Sequence, residues 1–343
     1  MDFSFTADQR LFQDAVRDLL ANECLPDEVR AAWESDGPGR SDARWVALAE
    51  MGVLGLTTPE AFGGLGMDEL DLVLLLEEAG RVCLPEPLVE TVAVAAPLLA
   101  DLSAGSSGAA AAEWLPKIVA GDGVVTVGFE RDVYVSEGAT AELLLLERDG
   151  ELHAVPWADA AVVSQRSVDR ARRIARVEWT PTPDTLLASG DEAATALAAA
   201  FDRGVLGVSA MLLGVTQQLL DVTVEYATAR EQFGQPIGGF QAVKHHLADA
   251  KLALEFARPM VYRAAWTVAR GDDARERATH VSMAKSYAAE AAALAAKTSL
   301  QVHGAIGYTF EYDLHLWMKR AWALAGQWGD AAWHRRRVAA SIL

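Results

Sequence analysis

Apolar residues recur at three- and four-residue spacings along most of the chain, a pattern that predicts α-helices. Thr6 should cap the first helix, because Gln9 stands three residues later and completes a capping box before the apolar run that starts at Leu11. Ser41 should cap a second helix that Gly52 closes. Proline and glycine then divide the rest of the first 120 residues, and further helices are predicted over 68–82, 88–102 and 114–120. Pro97 interrupts or starts the helix predicted over 88–102.

The pattern changes near Gly121, where β-branched and aromatic residues replace the helical spacing. Residues 143–146 and 152–155 flank Asp149-Gly150, a dipeptide typical of a tight β-hairpin turn. Three more strands are predicted in this part of the chain, over 124–129, 160–163 and 175–179.

Long helical patterns return after Pro181 and Pro183 and continue to the C-terminus. The predicted helices cover residues 191–228, 240–270, 273–303, 312–327 and 330–343. Long helices with short connections are typical of an antiparallel bundle. The sequence therefore predicts a mainly α protein with a small β domain. The predicted domains are an N-terminal helical domain (1–120), a reduced β domain (121–187) and a C-terminal bundle of four or five helices (188–343).

The charge balance narrows the range of ligands. Thirty Lys and Arg residues oppose 48 Asp and Glu residues, so the net charge is −18. This argues against a nucleic-acid partner, which would require clustered basic residues. Two cysteines, Cys24 and Cys83, are too few for a disulfide framework and suggest a reducing compartment. No basic and apolar leader begins the chain, so we expect a cytoplasmic protein with no membrane insertion.

The seven histidines show no metal-binding spacing, and no metal site is predicted. His245 and His246 are neighbours on a predicted helix, so their side chains point about 100° apart and cannot readily share one ion. Neither a G-x-S-x-G elbow nor a P-loop occurs. Simple hydrolytic and nucleotide-binding motifs therefore do not account for the chain.

Two segments of the C-terminal half carry a specific resemblance. The first reads Arg230-Glu-Gln-Phe-Gly-Gln-Pro-Ile-Gly-Gly-Phe-Gln241, and the second reads Gln301-Val-His-Gly-Ala-Ile-Gly-Tyr-Thr-Phe-Glu311. Both resemble conserved segments of the acyl-CoA dehydrogenase family, whose order of domains also matches the predicted one. Shorter matches, Gly52-Val-Leu-Gly and Gly63-Gly-Leu-Gly, extend the resemblance into the N-terminal region.

In that family the two segments bind FAD across a subunit interface. An Arg guanidinium suits a pyrophosphate, and glycines allow a ligand to approach the backbone. The resemblance implies FAD contacts from Arg230, Gln232, Phe233, Ile237, Phe240, Gln301, Gly304 and Gly307.

The catalytic base, however, is missing from both family positions. These enzymes remove a proton from the α-carbon of an acyl-CoA thioester with a Glu carboxylate, while a hydride leaves the β-carbon. One family position for that Glu aligns with Trp328, and the other aligns with Gly204. Neither residue can accept a proton through its side chain. The resemblance also implies strands between Asp132 and Ala141, and these are expected to be missing here, because only eight residues separate the two.

Three interpretations follow. In the first, the chain resembles the non-catalytic type of subunit in actinobacterial heteromeric (α2β2) acyl-CoA dehydrogenases, some of which act on CoA thioesters of steroid side chains. In the second, it is an active homo-oligomer whose base has moved to Glu130, Glu231 or Glu311. In the third, it is a binding or scaffold protein of the same fold without flavin. We favour the first interpretation.

Overall fold

The computed structural model describes residues 4–105 and 107–343. It is 63% helical with a small sheet region, so the predicted fold class is confirmed. Packing divides the described residues into two compact units. One comprises 4–30, 73–84 and 205–343, and the other comprises 31–72, 85–105 and 107–204. The division into domains 1–120, 121–187 and 188–343 stays a prediction.

The N-terminal helices begin where polar caps were expected. The Thr6 hydroxyl accepts from the Gln9 amide at 3.2 Å and the Gln9 side chain accepts from the Thr6 amide at 2.9 Å, which confirms the capping box. Ser41 likewise accepts from the amide of Arg44 at 3.3 Å. One helix, α2, was not predicted. The four helices are α1 (Ala7–Glu23), α2 (Pro26–Glu34), α3 (Asp42–Glu50) and α4 (Glu69–Arg81).

The next helical stretch changes its winding at Pro97. Residues Leu88–Ala95 form a wide π-helix, and α5 (Ala96–Asp101) starts with Pro97 in its first turn. Proline is tolerated there because the first helical amides have no intrahelical acceptor. The following helix, α6 (Gly108–Ala120), starts six residues earlier than predicted.

The β region forms two small sheets within one unit. One sheet has the order β1-β3-β4-β7, and the other has the order β2-β6-β5. The Asp149-Gly150 turn was predicted correctly: both residues have positive φ, 53° and 77°, as a type I′ hairpin turn requires. Two short strands, β2 and β7, were not predicted. The bounds are β1 Val125–Gly128, β2 Val135–Ser136, β3 Leu143–Arg148, β4 Glu151–Pro156, β5 Ala161–Gln165, β6 Ile174–Glu178 and β7 Leu186–Ala188.

Five helices make up the C-terminal part, each within two residues of its predicted bounds. Small residues on the facing sides of α8 and α9, such as Ala257 and Ala288, are fully buried and allow close helix packing. The longest helix, α7, is long and apolar enough to cross a membrane, but 83% of its most apolar window is buried, as in a core helix. The helices are α7 (Gly190–Ala229), α8 (Gln241–Arg270), α9 (Ala274–His303), α10 (Leu314–Gly326) and α11 (Ala331–Ile342).

A buried cation holds the connection between α10 and α11. The ammonium group of Lys285, on α9, has no exposed surface and donates to the carbonyl oxygens of Leu324 and Ala325 at 2.9 Å each, and of Gly329 at 3.2 Å. The carbonyl groups at the end of a helix carry partial negative charge and have no intrahelical donor, so a cation there is stabilising. Lys285 thus fixes the end of α10 and the turn that follows it.

We expect Lys285→Met to lower the free energy of unfolding by about 2–4 kcal/mol, because three carbonyl groups lose a charged donor in a buried place. Urea denaturation followed by circular dichroism measures the change. The matched control is Lys297→Met, since Lys297 is exposed on the same helix. Equal stability of the two variants would contradict the role of Lys285.

Candidate active site

The first predicted cofactor segment forms a miniature hairpin at the end of α7. Strands β8 (Glu231–Gln232) and β9 (Gln235–Pro236) pair across the turn at Phe233-Gly234, and both turn residues have positive φ, 55° and 82°. The hairpin is closed at its base, where the Ile237 amide donates to the Arg230 carbonyl at 2.8 Å. The connection between α7 and α8 therefore has a defined shape.

This hairpin presents its polar and aromatic groups outward. The Phe233 side chain is 92% exposed, although Phe disfavours both this exposure and a positive φ. Its ring meets Phe240 edge-on at a centroid distance of 6.1 Å. Arg230 and Gln232 are exposed as well, whereas Ile237 and Phe240 are half-buried. The five predicted residues of this segment thus share one hairpin, ready to contact a ligand or another subunit.

The second predicted segment begins at the end of α9. Gln301 is exposed on the last turn of the helix, and the chain then forms a short 3₁₀ turn over Gly304–Tyr308. Two glycines serve different purposes here. Gly304 has φ 63° and open space where a Cβ would stand, so conformation requires glycine. At Gly307 a Cβ would lie 3.0 Å from the Cβ of His303, so close packing requires it.

An aromatic cluster that the sequence analysis did not single out joins the bases of the two segments. The ring of Tyr226, one turn before Arg230, stacks on His303 at 4.3 Å. Tyr312 contacts both rings, at centroid distances of 5.9 Å and 5.0 Å. The Tyr226 carbonyl also accepts from the Arg230 amide at 2.8 Å. The two segments are therefore anchored to each other through this cluster.

His303 brings an unusual acceptor to the cluster. It is 4% exposed, and its Nδ1 lies 2.8 Å from the Ser299 carbonyl oxygen, so Nδ1 carries the proton and Nε2 is the acceptor. Among the residues that the structure describes, Nε2 has no hydrogen-bond partner. Burial lowers the pKa of His303, so the ring is neutral at pH 7.

These residues fit a group such as FAD in their chemistry. Arg230, Gln232 and Gln301 are exposed donors suited to phosphate and carbonyl oxygens. The open space at Gly304 admits close approach to the backbone. The orphaned Nε2 of His303 can accept a hydrogen bond from a ligand hydroxyl or N–H. Whether the eight residues contact a flavin stays a prediction.

The turn at Trp328 is held by backbone hydrogen bonds, and the Trp328 side chain offers no proton acceptor. Trp328 is 7% exposed with φ 58°, and its carbonyl oxygen accepts from His334 Nε2 at 2.8 Å. His334 Nδ1 lies 3.0 Å from the hydroxyl of Ser282 on α9. Gly204, at the other family position, is buried inside α7. Neither position offers a carboxylate.

The three candidates for a relocated base are all exposed: Glu130, Glu231 and Glu311. Glu130 accepts from the amide of Asp149 at 3.0 Å and so supports the β3–β4 hairpin turn. Glu231 lies in strand β8 of the small hairpin. The exposed placement of these carboxylates favours ordinary surface roles, since a catalytic base is usually shielded from water.

The fold and the two segments define a flavoprotein oxidoreductase class, and comparison with known proteins gives the same answer. The N-terminal domain model of acyl-CoA dehydrogenase matches residues 6–122, and the C-terminal domain model matches residues 194–343. The chain belongs to the acyl-CoA dehydrogenase family.

Two individual relatives illustrate its place in the family. Acyl-CoA dehydrogenase IpdE2 of Mycobacterium tuberculosis is 32% identical over 319 residues, which cover 92% of this chain and 91% of the relative. The IpdE2 protein of Mycolicibacterium smegmatis is 31% identical over 98% of this chain and 99% of its own length.

Solved structures show the same fold. The ChsE4–ChsE5 complex from Mycobacterium tuberculosis contains a chain with a TM-score of 0.88 and 26% identity, and the match covers 100% of this chain and 99% of that one. A variant of the Tcur3481–Tcur3483 steroid ACAD has a chain with a TM-score of 0.87 and 26% identity, covering 98% of this chain and 97% of that one.

We expect His303 to titrate below the ordinary histidine pKa of about 6.5. As the pH falls, His303 is protonated in the unfolded state before it is protonated in the folded state. The free energy of unfolding therefore decreases between pH 7 and pH 5 because of His303. His303→Leu should therefore reduce the loss of stability over that range, measured by urea denaturation at each pH. His245→Leu, at an exposed histidine, is the control for the substitution itself.

Proposed function

We propose that this chain is the base-lacking subunit of a heteromeric FAD-dependent acyl-CoA dehydrogenase that performs α,β-dehydrogenation of an acyl-CoA thioester. One observation carries the proposal: the segments at Arg230 and Gln301 are kept as an exposed, mutually anchored pair, while the two positions for the base hold Trp328 and Gly204. A chain that keeps the cofactor-binding groups and lacks the base needs a partner to complete the reaction.

FAD is the proposed cofactor, and when bound it supplies an acceptor for the hydride that leaves the β-carbon. Arg230 would hold its phosphates, and the amides of Gln232 and Gln301 would orient it through hydrogen bonds. Phe233 and Phe240 would cover an aromatic face, with Ile237 as apolar support. Gly304 and Gly307 would keep the backbone close to the ligand.

The proton from the α-carbon must go to a carboxylate, and we assign that carboxylate to the partner subunit. In this chain the turn that contains Trp328 is held by Lys285 and His334, and position 328 has an indole ring in place of a carboxylate. The contribution of this chain is to bind and orient, and to exclude water from its side of the site.

A homologous catalytic subunit, in an α2β2 assembly, is the proposed partner. Two similar structures are of paired proteins, ChsE4–ChsE5 and Tcur3481–Tcur3483. The bundle itself exposes large apolar side chains that a subunit interface would cover. They are Leu252 and Phe256 on α8, Tyr287 and Leu294 on α9, and Trp322 on α10.

A steroid side-chain thioester is the proposed class of substrate, since one of these similar structures is described as a steroid ACAD. The proposed location is the cytoplasm. The apolar α7 is mostly buried and both cysteines are buried free thiols, which suits a soluble protein in a reducing compartment.

Co-expression with neighbouring family members tests the proposal. We expect the chain to bind little flavin alone, and to yield a yellow complex that bleaches with an acyl-CoA only beside a homologue that carries the Glu. Visible spectra and size-exclusion chromatography measure both properties. A yellow, active protein purified alone would instead support a relocated base, and the absence of flavin under all conditions would support a scaffold role.

Within an active complex, Arg230→Gln should reduce the retained flavin at least tenfold, because it removes a bidentate donor to phosphate worth at least about 1.4 kcal/mol. Arg336→Gln is the control, since Arg336 is exposed on α11 outside both segments. The flavin-to-protein ratio after gel filtration is the readout. If both variants retain flavin like the unmodified chain, Arg230 is not a cofactor ligand.

A further inference from the structure

The unit that contains the β sheets has a large cleft lined by arginines. Its volume is about 920 Å³, within the range of small-molecule sites. Two stretches of chain form most of the lining: residues 33–40, after α2, and residues 164–174, between β5 and β6. Five arginines face two acids, Glu34 and Asp36; the arginines are Arg40, Arg166, Arg170, Arg172 and Arg173.

This concentration of positive charge stands out against the composition. The whole chain has a net charge of −18, yet the stretch from Arg166 to Arg176 contains five arginines and a single acid, Asp169. Asp169 is buried, and its carboxylate accepts from the Trp33 indole N–H at 3.0 Å. Asp169 therefore ties the two stretches together.

One arginine builds the walls of the cleft. The Arg173 guanidinium donates to the carbonyl oxygens of Ala32, Ser35 and Pro38 on one stretch and of Arg170 on the other, at 2.8–3.2 Å. On the β side, the Arg173 amide donates to the carboxylate of Glu137 at 3.3 Å. The cleft is thus held open by hydrogen bonds within this unit, and Arg173 has a structural role.

Arg40, Arg166 and Arg170 contribute positive charge for a ligand. Arg40 is nearly buried, yet its Nε and Nη1 have no hydrogen-bond acceptor among the described residues. Its Nη2 lies 3.8 Å from the Glu142 carboxylate, beyond hydrogen-bonding distance. The Nε and Nη1 atoms are covered from the cleft, so Arg40 acts on it through the positive charge of its guanidinium. Arg166 and Arg170 are exposed at the same cleft.

We propose that this cleft binds a phosphate-rich anion, a diphosphate group of the kind found in nucleotides. Arg166 and Arg170 would bind it directly from the exposed side, and the charge of Arg40 would attract it from beneath the cleft. Hydroxyl groups of Thr140, Ser164 and Ser167 line the same cleft and are suited to the remaining phosphate oxygens. This inference does not depend on the proposed function, because it concerns binding and not the oxidation step.

Isothermal titration of the full chain, alone and in its co-expressed complex, tests the cleft with sodium pyrophosphate, ADP, coenzyme A and 3′-dephospho-coenzyme A. We expect saturable binding that weakens as salt rises. The double variant Arg166→Gln/Arg170→Gln should lose affinity at least tenfold with an unchanged melting temperature. Arg176→Gln is the matched control, since Arg176 is exposed on β6 outside the cleft lining, and it should bind like the unmodified chain.

The four probes distinguish the source of the anion. Similar affinity for pyrophosphate, ADP and coenzyme A supports recognition of the diphosphate alone. Preference for coenzyme A over its dephospho form supports a site for the phosphorylated end of a CoA compound. No saturable binding, or binding that the double variant retains, would overturn the proposal. Because binding is read without flavin or turnover, failure here would leave the proposed dehydrogenase role untouched.

Discussion

The buried ammonium group of Lys285 is the interaction on which the C-terminal unit depends. It binds three carbonyl oxygens at the end of α10 and in the turn beyond it, and His334 binds a fourth, that of Trp328. The turn is therefore held through four of its backbone carbonyl groups.

The turn at Trp328 carries no carboxylate, and the groups suited to a cofactor lie elsewhere in the chain. The groups suited to a cofactor sit on two exposed segments, which Tyr226 and His303 anchor to each other. Their exposure is costly for a monomer, most of all at Phe233, and becomes favourable once a ligand or a second subunit covers them. The same reasoning applies to the apolar side chains left open on α8, α9 and α10.

The positive charge of the chain is also unevenly distributed. Five arginines of this acidic chain line one cleft, where the Arg173 guanidinium organises the walls and Arg40 has donors without an acceptor among the described residues. An acidic surface repels anions at a distance, so a local arginine cluster provides selectivity by short-range hydrogen bonds instead of long-range attraction. The dense arginine run at 170–173 was visible in the sequence, but nothing in it showed that residues 33–40 would form the opposite wall.

Local patterns were sufficient for the long helices and the tight turn of this fold. Spacing of apolar residues placed the long helices within two residues, and the capping box and the Asp149-Gly150 turn were predicted because each depends on a few adjacent residues. Short strands such as β2 and β7 were missed, since pairing with distant residues stabilises them more than their own composition. The absence of a carboxylate at positions 204 and 328 is a matter of residue identity alone. The contacts of Lys285, the stacking of Tyr226 on His303 and the arginine cleft were decided only by tertiary structure, because each joins residues far apart in the chain.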